Sequence, residues 1–159
     1  MSDNAIFERI SQRIGGSAED VSRSGAMLVI AIAREQLLDT ARRLKAEFGF
    51  DLLLDITAVD WPKKAPRFEV VYHFYSTIDR VRIRVKTRVA EGDPTVDSLM
   101  ALYGSAAFME RECHDMYGIA FRGNPDLRPI LLYEGFVGHP LRKDYPKDRE
   151  QPLVTYRNR

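Results

Sequence analysis

Apolar and polar positions change rhythm several times along the chain, and each rhythm predicts an element. Ile6, Phe7, Ile10 and Ile14 recur at helical spacing within Asn4 to Ile14, and Gly15-Gly16 ends that helix. Met27 to Ile32 is an unbroken apolar run of strand length. A second helix is predicted from Arg34 to Phe48, with Leu37, Leu38, Ala41, Leu44 and Phe48 on one face and Gly49 as its stop. Asp51 to Val59 reads as a strand with Leu52, Leu54 and Ile56 on a shared face. The cleanest alternation follows. Phe68, Val70, Tyr72 and Phe74 interleave with Glu69, Val71, His73 and Tyr75; past a short connection, Val81, Ile83 and Val85 interleave with Arg80, Arg82, Arg84 and Lys86. A period of two in two adjacent segments predicts an antiparallel hairpin whose second strand has a wet, basic face. After a turn at Glu91 to Pro94, two helices are predicted, Thr95 to Leu102 and Ser105 to Tyr117, broken at Gly104. Met109, Cys113, Met116 and Tyr117 lie on one stripe of the second.

The order α-β-α-β-β-β-α-α predicts an α+β domain over residues 1–117, a mostly antiparallel sheet of about four strands backed by helices. Residues 118–159 break the pattern. They hold Pro125, Pro129, Pro140, Pro146 and Pro152, and also Gly118, Gly123, Gly135 and Gly138. Yet Phe121, Leu127, Ile130, Leu131, Leu132, Tyr133, Phe136, Val137 and Leu141 are too many apolar side chains for a solvated linker. Two arrangements satisfy such a segment: an extended C-terminal arm that orders against another protein, or a loop-rich cap folded back on the sheet.

Composition narrows the function classes. The 159 residues are 45% hydrophobic and 30% charged, as in a globular domain. A net charge of +1 argues against a dedicated nucleic-acid binder. One cysteine excludes an internal disulfide and an iron–sulfur cluster held by the chain's own thiolates. No apolar run approaches the roughly 20 residues that span a bilayer, and the first residues lack a basic-then-apolar signal pattern. The expectation is an intracellular protein whose membrane or redox partners, if any, are other chains.

Several residue groups could carry chemistry. Cys113 and His114 suggest a nucleophile and base, but neighbours on a helix diverge by about 100°, and Cys113 sits on the apolar stripe, as a structural thiol would. His73, His114 and His139 show no metal-ligand spacing. Glu110 and Asp115 could work as acid and base, although Arg111 stands four residues before Asp115, the spacing of a local ion pair. No phosphate-binding glycine loop is present. The row Arg80, Arg82, Arg84 and Lys86 suits RNA, an acidic partner, or a plain solvated face.

The segment from Glu110 onward resembles the hydrophilic 30 kDa-type subunit family of respiratory complex I, the C-type subunits of NADH–quinone oxidoreductase. The residues that carry the resemblance are Glu110, Arg111 and Glu112, then Asp115 to Gly118; Pro125, Asp126, Leu127 and Arg128; and Gly138, His139, Pro140, Leu141, Arg142, Lys143 and Asp144. His114, Asn124 and Pro129 depart from the residues usual in the family. The resemblance implies a subunit with no catalytic residue, metal or cofactor of its own, FMN and iron–sulfur clusters residing on partner subunits. It implies an arm over 118–159 packed on the D-type subunit, which resembles the hydrogenase large subunit and helps form the quinone site, with the quoted residues as the partner interface. Other peripheral-arm subunits would be neighbours. No nucleic acid would be bound, and the membrane would be met only through the complex, on its cytoplasmic face. The corresponding module of a membrane-bound NiFe hydrogenase is the alternative within the superfamily, and an RNA-binding module the alternative outside it.

Overall fold

The computed structural model describes residues 3–146 and 148; the expected arm positions beyond these, Pro152 among them, lie outside the described residues. Three helices, α1 (Asp3–Ile14), α2 (Leu37–Phe48) and α3 (Ala106–Tyr117), accompany seven strands: β1 (Asp20–Ser24), β2 (Met27–Ile32), β3 (Leu52–Asp60), β4 (Phe68–Tyr75), β5 (Arg82–Val89), β6 (Thr95–Asp97) and β7 (Ala120–Arg122). Five strands form one sheet in the order β1-β2-β5-β4-β3; β6 and β7 pair separately. Every pairing in the large sheet is antiparallel except β2 with β5.

The predicted hairpin sets the register of the core. Phe68, Val70, Tyr72 and Phe74 lie opposite Val89, Thr87, Val85 and Ile83, and all eight are buried. Ile6, Phe7, Ile10 and Ile14 of α1, Leu37, Ala41, Leu44 and Phe48 of α2, and Ala106 and Cys113 of α3 join them in one apolar cluster. Fully burying one such large apolar side chain stabilises the fold by about 1.5–3 kcal/mol. All three helices thus serve a single face of the sheet.

Two expectations about local segments need correction. The α+β class and the mostly antiparallel sheet are as expected, the fifth strand being β1. Its sequence, DVSRS, is almost wholly exposed, and backbone pairing to β2 rather than burial makes it a strand. Leu52, Leu54 and Ile56 do not share a face. A bulge between Leu53 and Asp55 shifts the alternation, so Leu53 and Ile56 point inward while Leu52 and Leu54 are exposed. The helix expected over Thr95 to Leu102 is instead strand β6 followed by turns. Its backbone has better partners elsewhere: β6 pairs in parallel with β7, and the Leu99 N–H donates to the Glu110 carboxylate at 2.7 Å. Past Tyr117, Ile119 and Phe121 are buried in the central cluster and β7 pairs with β6.

Candidate functional site

Helix α3 aims its charged residues at the segment that follows it. Glu110 is fully buried; Oε1 accepts the Leu99 N–H, and Oε2 accepts the Ser98 hydroxyl at 2.7 Å and the Asn124 amide at 2.8 Å. Burial pushes this carboxyl above its ordinary pKa, and the three donors only partly counter that. One turn further on, Asp115 Oδ2 accepts the backbone N–H groups of Ile130, Leu131 and Leu132 at 2.8, 3.0 and 3.3 Å. Burial alone would raise the Asp115 carboxyl, but these three donors, with His114 nearby, hold it below the usual carboxylate range. Arg111 grips the same stretch from the other polarity, donating to the carbonyls of Arg128 at 2.9 Å and Pro129 at 2.8 Å. The i,i+4 spacing of Arg111 and Asp115 therefore does not make the expected ion pair. It clamps residues 128–132, the cation on carbonyls and the anion on amides.

A second anchor lies where α3 meets the sheet. Helix C-termini leave carbonyls without intrahelical donors. Here Leu141 N–H donates to Met116 O at 3.1 Å, and Arg142 Nε to Tyr117 O at 2.7 Å. The Arg142 guanidinium also lies 5.0 Å from the Phe68 ring. Lys143 N–H donates to Asp60 Oδ2 at 2.7 Å, and Arg67 bridges Asp60, Glu91 and Asp144. Bonding to Arg67 holds the Asp60 carboxyl below its ordinary value, and Asp60 raises the guanidinium in turn.

Gly118 makes the close approach possible. It caps α3 in the left-handed region at φ 73°, and an added Cβ would collide with His139 Nε2 and lie 2.6 Å from Arg142 Nη2. The His139 ring cannot simply retreat, because Nδ1–H donates to Asp115 O at 2.9 Å; a carbonyl only accepts, so that nitrogen carries the proton. Gly118→Ala is expected to cost about 2–3 kcal/mol from left-handed strain plus the displaced contacts. Urea melts of the variant check this, and hydrogen exchange should be fastest over residues 138–142.

The residues expected at an interface therefore divide. Glu110, Arg111, Asp115, Gly118, His139, Arg142 and Asp144 make the contacts just described within the chain. Asp126 pairs with Arg128 at 2.8 Å, and Leu127 packs on the central cluster. Glu112, Pro125, Arg128, Gly138, Leu141 and Lys143 are exposed, and Pro140 is half-buried. Asn124 links Glu110 to the tail, its Oδ1 accepting the Asp126 N–H. Sequence reasoning missed Asp60 and Arg67. A buried Arg after Lys-Lys-Ala-Pro carries no periodic signal, and only the return of residues 142–144 reveals its use.

Cys113 is buried, and burial pushes its thiol well above the ordinary value, the opposite of an activated nucleophile. His114 Nδ1 faces Ile119 O at 2.9 Å rather than the thiol. Among the described residues no group of three or more His, Cys, Asp or Glu is placed to hold a metal ion, and no described helix is long and apolar enough to cross a membrane. Above the anchors the tail forms a cap around Phe136, whose ring lies 5.4 Å from Tyr133 and 6.0 Å from Tyr145. Leu131 (62% exposed), Val137 (57%), Leu141 (48%), Ile130 and Tyr133 face outward.

Comparison with known proteins places this arrangement. Residues 30–151 match the family described as the respiratory-chain NADH dehydrogenase 30 Kd subunit. The NADH-quinone oxidoreductase C subunit of Geobacter sulfurreducens is 39% identical over 152 residues, covering 93% of this chain and 94% of that protein. Its Rhodobacter capsulatus counterpart is 47% identical over 121 residues, 75% of this chain and 60% of its own length. Among solved structures, the trypsin-resistant fragment of Nqo5 superposes with a TM-score of 0.71 at 32% identity, covering 77% of this chain and 99% of the fragment. A chain of the membrane-bound sulfane sulfur reductase, an archaeal respiratory membrane complex, gives 0.80 at 30% identity over 92% of this chain and 87% of that one. With a family match over most of its length and relatives of this similarity, the chain belongs to the 30 kDa subunit family of respiratory-chain NADH dehydrogenases.

Proposed function

We propose that this chain is a non-catalytic, cofactor-free subunit in the peripheral arm of an NADH–quinone oxidoreductase, on the cytoplasmic face of the membrane. Its cap and the residues that follow dock on the subunit that resembles the hydrogenase large subunit, near the quinone site. FMN and iron–sulfur clusters then belong to neighbouring subunits. The work of the chain is positional: electron transfer from NADH to quinone needs centres held in fixed register, and a rigid brace holds them so. One observation carries the reading. Leu131, Val137 and Leu141 are presented to solvent on a backbone that Asp115, Arg111 and Arg142 hold in place. Large apolar side chains on a scaffold already ordered by polar anchors lose little further entropy on binding, which favours tight association. An obligate contact of this kind buries on the order of 2,000 Å² or more.

The double variant Leu131→Asp, Leu141→Asp is expected to keep the native circular dichroism and melting temperature. Its co-purification with the hydrogenase-like subunit should fall by about tenfold or more, since two charges would be desolvated at the contact. Capture at full strength would overturn the reading. The match to the sulfane sulfur reductase chain supports a second assignment, the equivalent module of a related complex without an NADH-oxidising unit. Co-purification with an NADH-binding flavoprotein decides between them.

A further inference from the structure

The face of the large sheet opposite the helices takes no part in that docking. Its rows follow from the register: Asp55, His73, Arg84, Val29 and Ser22 across one line, and Thr57, Val71, Lys86, Ala31 and Asp20 across the next. Tyr75 and Arg82 extend it at one end, Glu69 and Arg88 at the other. Val29 and Val71 on it are buried yet stand apart from the central cluster. The cations on it are unequally matched. Lys86 and Arg88 share Glu69, at 3.0 and 3.5 Å. Arg84 Nε donates to His73 Nε2 at 2.9 Å, a bond that requires the imidazole to be neutral at that nitrogen, so His73 adds no negative charge. Among the described residues, neither Arg82 nor Arg84 pairs with a carboxylate.

We propose that this open sheet face is a second docking surface, and that its occupant is an acidic polypeptide segment of a neighbouring subunit, with carboxylates reaching Arg82 and Arg84. The inference rests on the proposed membership in a multi-subunit assembly. Charge complementarity selects the acidic segment: two guanidiniums lacking carboxylate partners stand two positions apart on β5, and the guanidinium fork suits carboxylates. Size agrees. Five strands about 4.8 Å apart and about 25 Å long present roughly 600 Å², close to the share each partner contributes to a standard interface. A nucleic acid fits less well, because Glu69, Asp55 and Asp20 stand on the same face.

The test compares the isolated full-length chain with the native complex purified through it, using phenylglyoxal modification of arginines read by mass spectrometry. Arg82 and Arg84 are expected to react about fivefold or more slowly in the complex, as groups do when a desolvated contact covers them. A benzoylphenylalanine placed at position 82 should photo-crosslink to an Asp- or Glu-containing peptide of another subunit. Adding Arg84→Glu to that position-82 variant should abolish the crosslink while the cap still engages the hydrogenase-like subunit. Equal reactivity in both states overturns the inference alone, and so does protection that disappears on ribonuclease treatment. Absence of any co-purifying complex overturns it together with the proposed function.

Discussion

Replacing Arg67 with alanine is expected to destabilise the chain by about 3–5 kcal/mol, the range for stripping the partner from a buried charge. The Asp60 side chain is 0% exposed and that of Arg67 10%, and the fork bonds both carboxylate oxygens at 2.8 Å. The half-exposed Glu91 and Asp144 contribute little beside this, at most about 1 kcal/mol each. The pH dependence follows from the direction of the shift. Asp60 has a folded pKa below its unfolded value, so the pair's contribution is fully present above the ordinary carboxylate range and is lost as pH falls through the folded value. Without Arg67, burial dominates and Asp60 takes up its proton at higher pH. The difference between the two proteins should therefore be largest near neutrality and shrink toward about pH 3. Urea denaturation at both pH values measures it. A loss that stays the same on acidification would show that Arg67 acts through packing rather than through charge.

The second large effect is local. Asp115→Ala leaves three backbone N–H groups without their acceptor, and the cap should lose about 2–4 kcal/mol of local stability. Amide exchange at residues 130–132 should accelerate by about 30-fold or more, since each 1.4 kcal/mol is a factor of about ten. The melting temperature should fall less than for Arg67→Ala, because the cap can open while the sheet and its helices stay packed. Asp115→Asn separates charge from shape. Its amide oxygen can take the place of Oδ2, and neutral hydrogen bonds are about half as strong as charge-assisted ones, so its exchange rates should fall between those of the wild type and the alanine variant. Unchanged protection in the alanine variant would mean that the Arg111 contacts and the α3 terminus hold the cap unaided. Capture of the hydrogenase-like subunit should weaken in the same order as protection is lost, which ties the anchor to the proposed interface.

Much of the architecture was legible in the linear pattern, for a definite reason. The alternation from Phe68 to Lys86 and the helical spacing of Ile6 to Ile14 and Leu37 to Phe48 report which side of each element meets the core, and that information is local. The same pattern was silent on β1, where pairing rather than burial makes the strand. It was misleading at Thr95 to Leu102, where partners more than ten residues away outcompete a local helix. The family motif marked Glu110, Arg111, Asp115 and Gly118 as a group but not what each touches.

By itself, the sequence determined an α+β domain with a proline-punctuated, apolar tail and no local signature of catalysis. Only the tertiary structure decided that residues 124–146 fold back as a cap, with Asp115, Arg111 and the Asp60–Arg67 pair as anchors and Leu131, Val137 and Leu141 left outside. Hydropathy records how much apolar surface a segment must hide. It does not record which polar groups, up to 83 positions apart in the case of Asp60 and Lys143, the closing chain will bring within hydrogen-bonding distance, and those meetings choose which of the tail's apolar side chains stay available to a partner.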